Sequence, residues 1–413
     1  MKLRRLPEDF DVREQNSLPI RQTGAYAVYE LRKTGWTTLD ALDRLARIFN
    51  LPRKNMAHAG LKDRHAVTSQ LITVRGGPRH SCNDNAISLT YLGQSERAVT
   101  SDDIAANHFR IVLRSLRPEE QRLAESAIPE IQQSGVPNYF DDQRFGSWFP
   151  EHGFIASAWI REQYEQALRL TFAEPEPLDD AEEREQKAIL RENWGNWLEC
   201  KQQLSRSHRR SVITYLCDHP TKFKGAWALV NGDLRGLFLS ALQSDLWNQI
   251  VSREIQTLCE SGQTTLLQLR TGPLHCPRAL SPENLQVLSQ MQIPLPSGRV
   301  RPEEFPHPEL AEEVLKEQGW ELRDLKVKFP RDRFFSRLRR PVFIPVRDFA
   351  ATFANDELDA GQGKKLTLRF SLPRGAYATM VVKRLFLGED AAISNQVADL
   401  SDSAVDAAPG GDV

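Results

Sequence analysis

A chain of 413 residues, 40% of them apolar and 26% charged, has material for two or three domains with ordinary cores. No apolar run follows the basic residues of the N-terminal MKLRRLPEDFDVRE, and no stretch approaches the roughly eighteen apolar residues of a membrane span. Neither a signal peptide nor an anchor is expected, and the expected location is the cytoplasm. Five dispersed cysteines (Cys82, Cys200, Cys217, Cys259, Cys276) without a C-x-x-C pair speak against a disulfide framework or a structural zinc site.

The formal charge of −1 hides an asymmetry. Residues 389–413 hold six acids and no base, which leaves 54 basic and 49 acidic residues in positions 1–388. Within that mildly cationic body, residues 321–340 carry eight bases against three acids, interleaved with Phe329, Phe334 and Phe335. Such a mixture suits a phosphate backbone with stacked bases, or a plain solvated face.

In chain order, residues 25–33 are Tyr-containing and flanked by Gly24 and Gly35, which predicts a strand. Residues 37–50 read as a helix: Thr37 or Thr38 caps it, Asp40 sits in its first turn, and Leu39, Leu42, Leu45, Ala46 and Phe49 make one apolar face. Residues 66–74 are β-rich, which places Asp63 in a short loop entering a strand. A strand at 109–113 is followed by a helical stretch from Pro118 that Pro129 is expected to interrupt. The order is mixed and lacks a strict βαβ rhythm. Neither G-x-G-x-x-G nor a P-loop occurs, so no nucleotide cofactor is indicated.

Between residues 160 and 338 the character changes. Residues 174–192 are acidic and proline-broken, 205–210 form a basic S-R-S-H-R-R run, and 233–258 make a long helical pattern. Eight of the 24 prolines fall between residues 271 and 308. These features predict an inserted domain with irregular connections. After it, residues 365–372 alternate as a strand, P-R-G turns, and 376–387 return to helix. The expected division is 1–160 and 339–388 for one domain, 161–338 for the insertion, and a disordered acidic tail at 389–413.

Four segments carry candidate chemistry. In AHAGLKDRHAVTSQ, residues 57–70, Asp63 lies between Lys62 and Arg64, with His65 after and His58 before. This is either a solvated turn or a carboxylate whose flanking cations suit it to act as nucleophile or base. If the loop runs extended, Lys62 and Arg64 point away from the Asp63 face, and a cation that tunes it needs a bend in the chain. LPEDFDVRE (6–14), PNYFDDQRFG (137–146) and LPRGAYATMVV (372–382) complete the set. Asn138 and Gln143 can read a base edge, Phe10, Tyr139, Phe140 and Tyr377 can stack on a base, and Arg144 and Arg374 can hold phosphate. That is a kit for an unstacked nucleotide, unless Tyr139, Phe140 and Phe145 are simply core aromatics. A metal set on His58, Asp63 and His65 lacks a further ligand at familiar spacing, so no metal is expected.

Taken together, PEDFxVxE, AGLKDRHAVTSQ, PNYFxxQRFG, LFLSALQSDLWNQ and LPRGAYATMVV closely resemble the TruD family of tRNA pseudouridine synthases. The resemblance implies a mixed α+β catalytic domain with a largely antiparallel sheet and a large α/β insertion, V-shaped around a basic RNA cleft. It implies an isomerase that needs no cofactor, has tRNA as partner, acts on uridine 13 and is expected to be a monomer. The family's aspartate nucleophile falls on Asp63, the asparagine that contacts the target nucleotide on Asn138, the aromatic beside the target uracil on Phe140, and the PEDF phenylalanine on Phe10. Tyr377 stands where bacterial members resemble one another in having Phe. Lys62 and Arg64 then either tune Asp63 or hold phosphates beside the flipped nucleotide. The rivals are a catalytically silent RNA-binding or tRNA-chaperone protein on the same fold, and a metal-dependent nuclease or deaminase.

Overall fold

The computed structural model describes residues 1–3, 5–176, 179–260, 262–278, 280–359 and 363–387. The acidic tail expected at 389–413 lies outside them. Among the described residues a ten-stranded sheet is built from β1 (Lys2–Leu3), β2 (Phe10–Asn16), β3 (Tyr26–Lys33), β4 (Met56–His58), β5 (Val67–Arg75), β6 (Cys82–Asp84), β7 (Ile87–Ser95), β8 (Ile104–Leu116), β9 (Arg347–Asn355) and β10 (Lys364–Leu372). Its order is β9-β10-β8-β2-β5-β3-β7-β6, with β1 paired to β8 and β4 to β5. Strands from both ends of the sequence thus share one sheet, and β2 with β5 is its parallel pair. The architecture is α+β with an antiparallel-dominated sheet.

Helix α1 (Thr38–Ile48) starts where Thr37 Oγ1 accepts from Asp40 N at 3.1 Å. It buries Ala41, Leu42, Leu45 and Ala46 against Tyr29, Leu31 and Ile72 of the sheet. Leu39, expected on that face, is 46% exposed; it lies about 100° round the helix from the centre of the buried stripe. Helix α2 (Pro118–Ser134) runs straight through Pro129, contrary to expectation. Pro129 and Glu125 are both exposed, so the carbonyl that loses its helical donor is open to water, while Ala124, Ala127 and Ile131 hold the opposite face in the core. At Gly135 (φ +82°) an added Cβ would stand 2.1 Å from the Ile344 carbonyl oxygen, so the chain leaves α2 through a position only glycine fits.

The middle of the chain is mostly helical. Its axis is α3 (Gly232–Leu258), 27 residues long, around which Trp159, Trp227 and Trp247 are fully buried. This core takes in residues from Tyr139 to Phe343, and also Tyr377 and Met380 at the start of the last helix, α4 (Ala378–Leu385). Helices α2 and α4 cover part of one sheet face through Ile131, Val381 and Leu385, against Ile111 and Leu113. Beyond them the same face continues as Phe10 and Val12 on β2 and as Phe109 and Asn107 on β8, since residues two apart on a strand share a side.

Candidate active site

That uncovered part of the sheet face is the floor of a cavity of about 400 Å³. One wall is the segment from His58 to Asp63, the opposite wall the turn from Arg374 to Thr379, and Gln143 closes part of the rim. The floor lies at the N-terminal ends of the parallel pair, where Asp11 is in register with Val67. Two chain segments entering parallel strands must approach from the same side, which brings the PEDF turn and the Asp63 loop together.

The PEDF turn is fixed by charge. Asp9, 1% exposed, accepts from Leu6 N at 2.9 Å and pairs with Arg114, which also holds Asp356 at 2.7 Å. A buried guanidinium held by two buried carboxylates, and by Glu357 at 3.2 Å, makes this turn rigid, and Phe10 leaves it onto the floor in edge contact with Phe109, 6.3 Å between ring centres.

The Asp63 loop is held from beneath. Lys33, 1% exposed at the end of β3, donates to three backbone carbonyls: Trp36 at 2.7 Å, Asp63 at 2.9 Å and Lys62 at 3.2 Å. Burial pulls its ammonium down to about 8, against the opposing attraction of Asp63. Thr38 Oγ1 accepts from Lys62 N at 3.0 Å and donates to Gln70 Oε1 at 2.8 Å, and Gln70 Nε2 donates to the Gly60 carbonyl at 2.8 Å. The loop bends just after Asp63, whose Oδ1 accepts from His65 N at 2.8 Å in an Asx turn. Asp63 is 7% exposed and lines the cavity.

Lys62 and Arg64 take different places. Lys62 Nζ is 2.9 Å from Glu14 Oε2, whose side chain is fully buried on β2. Arg64 is exposed and does not line the cavity. His58 lines it; burial and then Arg53 lower its pKa, which keeps the imidazole neutral near pH 7.

Of the other residues singled out in the sequence, Phe10, Gln143, Arg374 and Tyr377 line the cavity, and Asn138, Phe140 and Arg144 stand behind its wall. Asn138 is 4% exposed and its amide is engaged at both ends: Nδ2 donates to the Pro341 carbonyl at 2.9 Å and Oδ1 accepts from Arg340 Nη2 at 2.7 Å. Arg340 also lies over the Phe140 ring at 4.1 Å. Phe140 packs edge-on against Tyr377 (6.2 Å) and Trp247 (5.6 Å). Arg144 Nε donates to Ser244 at 3.2 Å, and Arg374 pairs with Asp102 at 3.2 Å on the surface.

The LFLSALQSDLWNQ motif explains why this second segment holds its shape. Asn248 Oδ1 accepts from Phe140 N at 2.9 Å and its Nδ2 donates to the Phe140 carbonyl at 2.8 Å. From the other side, Lys383 of α4 reaches Asp141 at 2.6 Å and Asp142 at 2.5 Å. Burial alone would depress this ammonium; the two carboxylates hold it above its ordinary range. Three side chains missed in the sequence, Lys33, Asn248 and Arg340, therefore position the site. Asn248 lay in a motif whose role was unassigned, and Lys33 falls in phase with Ala27, Tyr29 and Leu31 along β3, which marked it as inward-pointing.

The tRNA pseudouridine synthase D (TruD) family model matches residues 1–385. The chain belongs to the tRNA pseudouridine synthase D family. A Methanococcus maripaludis protein named for that activity is 30% identical, over 94% of this chain and 99% of its own. The Aquifex aeolicus tRNA pseudouridine synthase D is 26% identical, with the same coverage of 94% and 99%. The crystal structure of a TruD from Methanosarcina mazei matches with a TM-score of 0.70 at 27% identity, over 93% of this chain and 92% of that one. Family membership makes the chain an isomerase of the pseudouridine synthase class.

The basic stretch at 321–340 is less free than a TruD-type RNA surface read from sequence would suggest. Arg333 is bound to Asp233 and to the Gly232 carbonyl, Arg339 to the Gln292 and Glu304 carbonyls, and Arg340 lies beneath Asn138. Arg331 and Arg337 are exposed, as is Phe334 at 57%, with Arg299 over its ring at 4.8 Å. Among the described residues no helix is long and apolar enough to cross a membrane, and no cluster of three or more His, Cys, Asp or Glu could hold a metal.

Proposed function

We propose that this chain converts a uridine of tRNA, uridine 13 as the family resemblance implies, into pseudouridine, with Asp63 as the nucleophile. The observation that carries the reading is a carboxyl at the edge of a cavity floored by Phe10, Val12 and Phe109, at the meeting point of two motifs more than forty residues apart. The reaction breaks the N1–C1′ bond, turns the base, and joins C5 to C1′; the proton on C5 leaves to water and N1 regains one. It needs a uracil flipped from its stack and a dry pocket that keeps water from the opened sugar. Asp63 faces the sugar or base, Phe10 and Tyr377 pack the flipped ring, and Lys33 fixes the Asp63 backbone so that the carboxyl does not swing. Lys62, tied to Glu14, seals the wall, which leaves Arg64 and Arg374 to hold the neighbouring phosphates.

Residues 161–338 act as the inserted second arm, and the exposed Arg331, Arg337 and Phe334 belong to its RNA-facing side. The enzyme works in the cytoplasm. The test is tritium release from tRNA transcripts carrying 5-tritiated uridine. Wild type is expected to release it, Asp63→Ala and Asp63→Asn are not, and RNA binding persists in both. Release by Asp63→Ala at the wild-type rate would remove the assignment.

A further inference from the structure

A second cavity, of about 840 Å³, opens in the helical middle of the chain and shares no lining residue with the active-site cavity. It lies between the helix Tyr164–Phe172 and the start of the helix Phe223–Leu229. Its aromatic side is Tyr164, packed edge-on against Phe329 at 6.4 Å, and Phe223, packed against Trp197 at 6.2 Å. Its open side carries Arg169, Lys222 and Lys224, all exposed and none in an ion pair among the described residues. The ammonium of Lys224 stands over the Phe329 ring at 4.9 Å and the Tyr164 ring at 5.7 Å. Two of the carboxylates that line the cavity are already engaged: Glu162 pairs with Lys328 at 2.7 Å, and Glu165 accepts from Trp194 Nε1 at 3.1 Å. That leaves Glu174 against three cations.

Tyr164 makes the cavity more than a basic surface. The residue is 8% exposed, and its hydroxyl is buried without a hydrogen-bond partner among the described residues. Burial, and then Glu162, push the phenol up, so it is a donor at neutral pH. A buried donor left unpaired is unfavourable unless something enters to meet it. The cavity also borders the basic stretch at 321–340, since Lys328 holds Glu162 and Phe329 backs Tyr164.

We propose that this cavity takes one unstacked nucleotide of the tRNA, away from the target uridine. Phe223 stacks on its base, Arg169, Lys222 and Lys224 hold its phosphates, and the Tyr164 hydroxyl donates to one of its oxygens. An aromatic floor beside free cations matches a single-stranded nucleotide, whereas a bare phosphate would leave the rings uncovered. The inference rests on the tRNA substrate proposed above and gives the insertion a defined anchor on it.

The experiment measures tRNA binding to the full chain by filter binding across a range of salt, with thermal unfolding of each variant. Tyr164→Phe removes the unpaired hydroxyl; it should bind tRNA three- to tenfold more weakly, by order of magnitude, with an unchanged or higher Tm. Lys222→Gln with Lys224→Gln should weaken binding roughly tenfold and lower the salt slope by about one to two. Phe223→Ala should also lose roughly tenfold, with the salt slope kept. Arg184→Gln, an exposed charge of the same region outside the cavity, should bind as wild type does. The inference is overturned if Tyr164→Phe binds tRNA as tightly as wild type, if the double lysine variant keeps the wild-type slope, or if Arg184→Gln matches its loss. Titration with free UMP separates the sources: micromolar binding that Tyr164→Phe abolishes would make this a site for a free nucleotide and overturn the tRNA assignment. Wild type that binds tRNA but releases no tritium from 5-tritiated uridine would overturn the proposed reaction and leave this inference standing; wild type that does not bind tRNA would overturn both.

Discussion

The two segments that meet around the cavity are held in opposite ways. The Asp63 loop is fastened by Lys33, Thr38 and Gln70, all within thirty-one residues of it and all on or beside the sheet. The segment from Asn138 to Arg144 is fastened by Asn248, Arg340 and Lys383, which lie from about one hundred to more than two hundred residues away. The Asp63 end of the site is thus a local product of one strand, one helix and one turn. The segment behind the opposite wall takes its shape only when α3 and the C-terminal helix α4 have both docked against it. Damage to the first should appear in the rate of the chemical step, and damage to the second in stability.

The largest expected effect is on the second side. Lys383→Met leaves Asp141 and Asp142 buried without their cation and should cost about 3–5 kcal/mol in urea unfolding. A cost under about 1 kcal/mol would mean the carboxylates are not held as described. On the first side, Lys33→Met should lower the single-turnover rate by roughly ten- to a hundredfold with little change in tRNA affinity. Lys33 also sets a pH signature. Its folded pKa of about 8 lies below the ordinary 10.5, so between these values the unfolded chain holds the extra proton. The Lys33 contribution to stability therefore rises with pH across that window, the charging penalty being present in full below 8. Activity should move the other way, falling as pH rises through about 8 and the ammonium loses one of its donors; Lys33→Met should flatten that fall. An identical alkaline limb in the variant would detach Lys33 from it.

Asn248→Ala strips the buried Phe140 N–H and C=O of their partners and should cost about 1–3 kcal/mol of stability, read by thermal unfolding. Smallest of all, Arg331→Gln with Arg337→Gln should lower the salt slope of tRNA binding by about one to two. The same pair of changes at Arg333 and Arg339, already bound to the protein, should lower it less. Equal effects would return those two to the RNA surface.

Strands rich in β-branched, aromatic and alternating apolar residues were legible in the sequence. Residues 25–33, 66–74 and 365–372 were read within a residue or two of Tyr26–Lys33, Val67–Arg75 and Lys364–Leu372, and the long helix within one residue. The first strand of the PEDF motif and the Asp63 loop were legible as motifs. Strand β8 was read as five residues and is thirteen, because its first half, I-A-A-N-H, carries no apolar alternation; pairing with β2 and β10 makes it a strand. The last helix begins two residues later than read, since Arg374 to Tyr377 form the cavity wall. Asn138 was readable as an amide in a functional motif, but its engagement by Arg340 is a contact across two hundred residues that no local pattern encodes.

The central claim is that Asp63 supplies the chemistry while the rest of the site positions the base. Single-turnover pseudouridine formation with Asp63→Asn, at enzyme concentrations that saturate the tRNA, tests it most directly. The account predicts no detectable product over many wild-type half-lives, with tRNA affinity within about threefold of wild type. Product formed within about tenfold of the wild-type rate would contradict it.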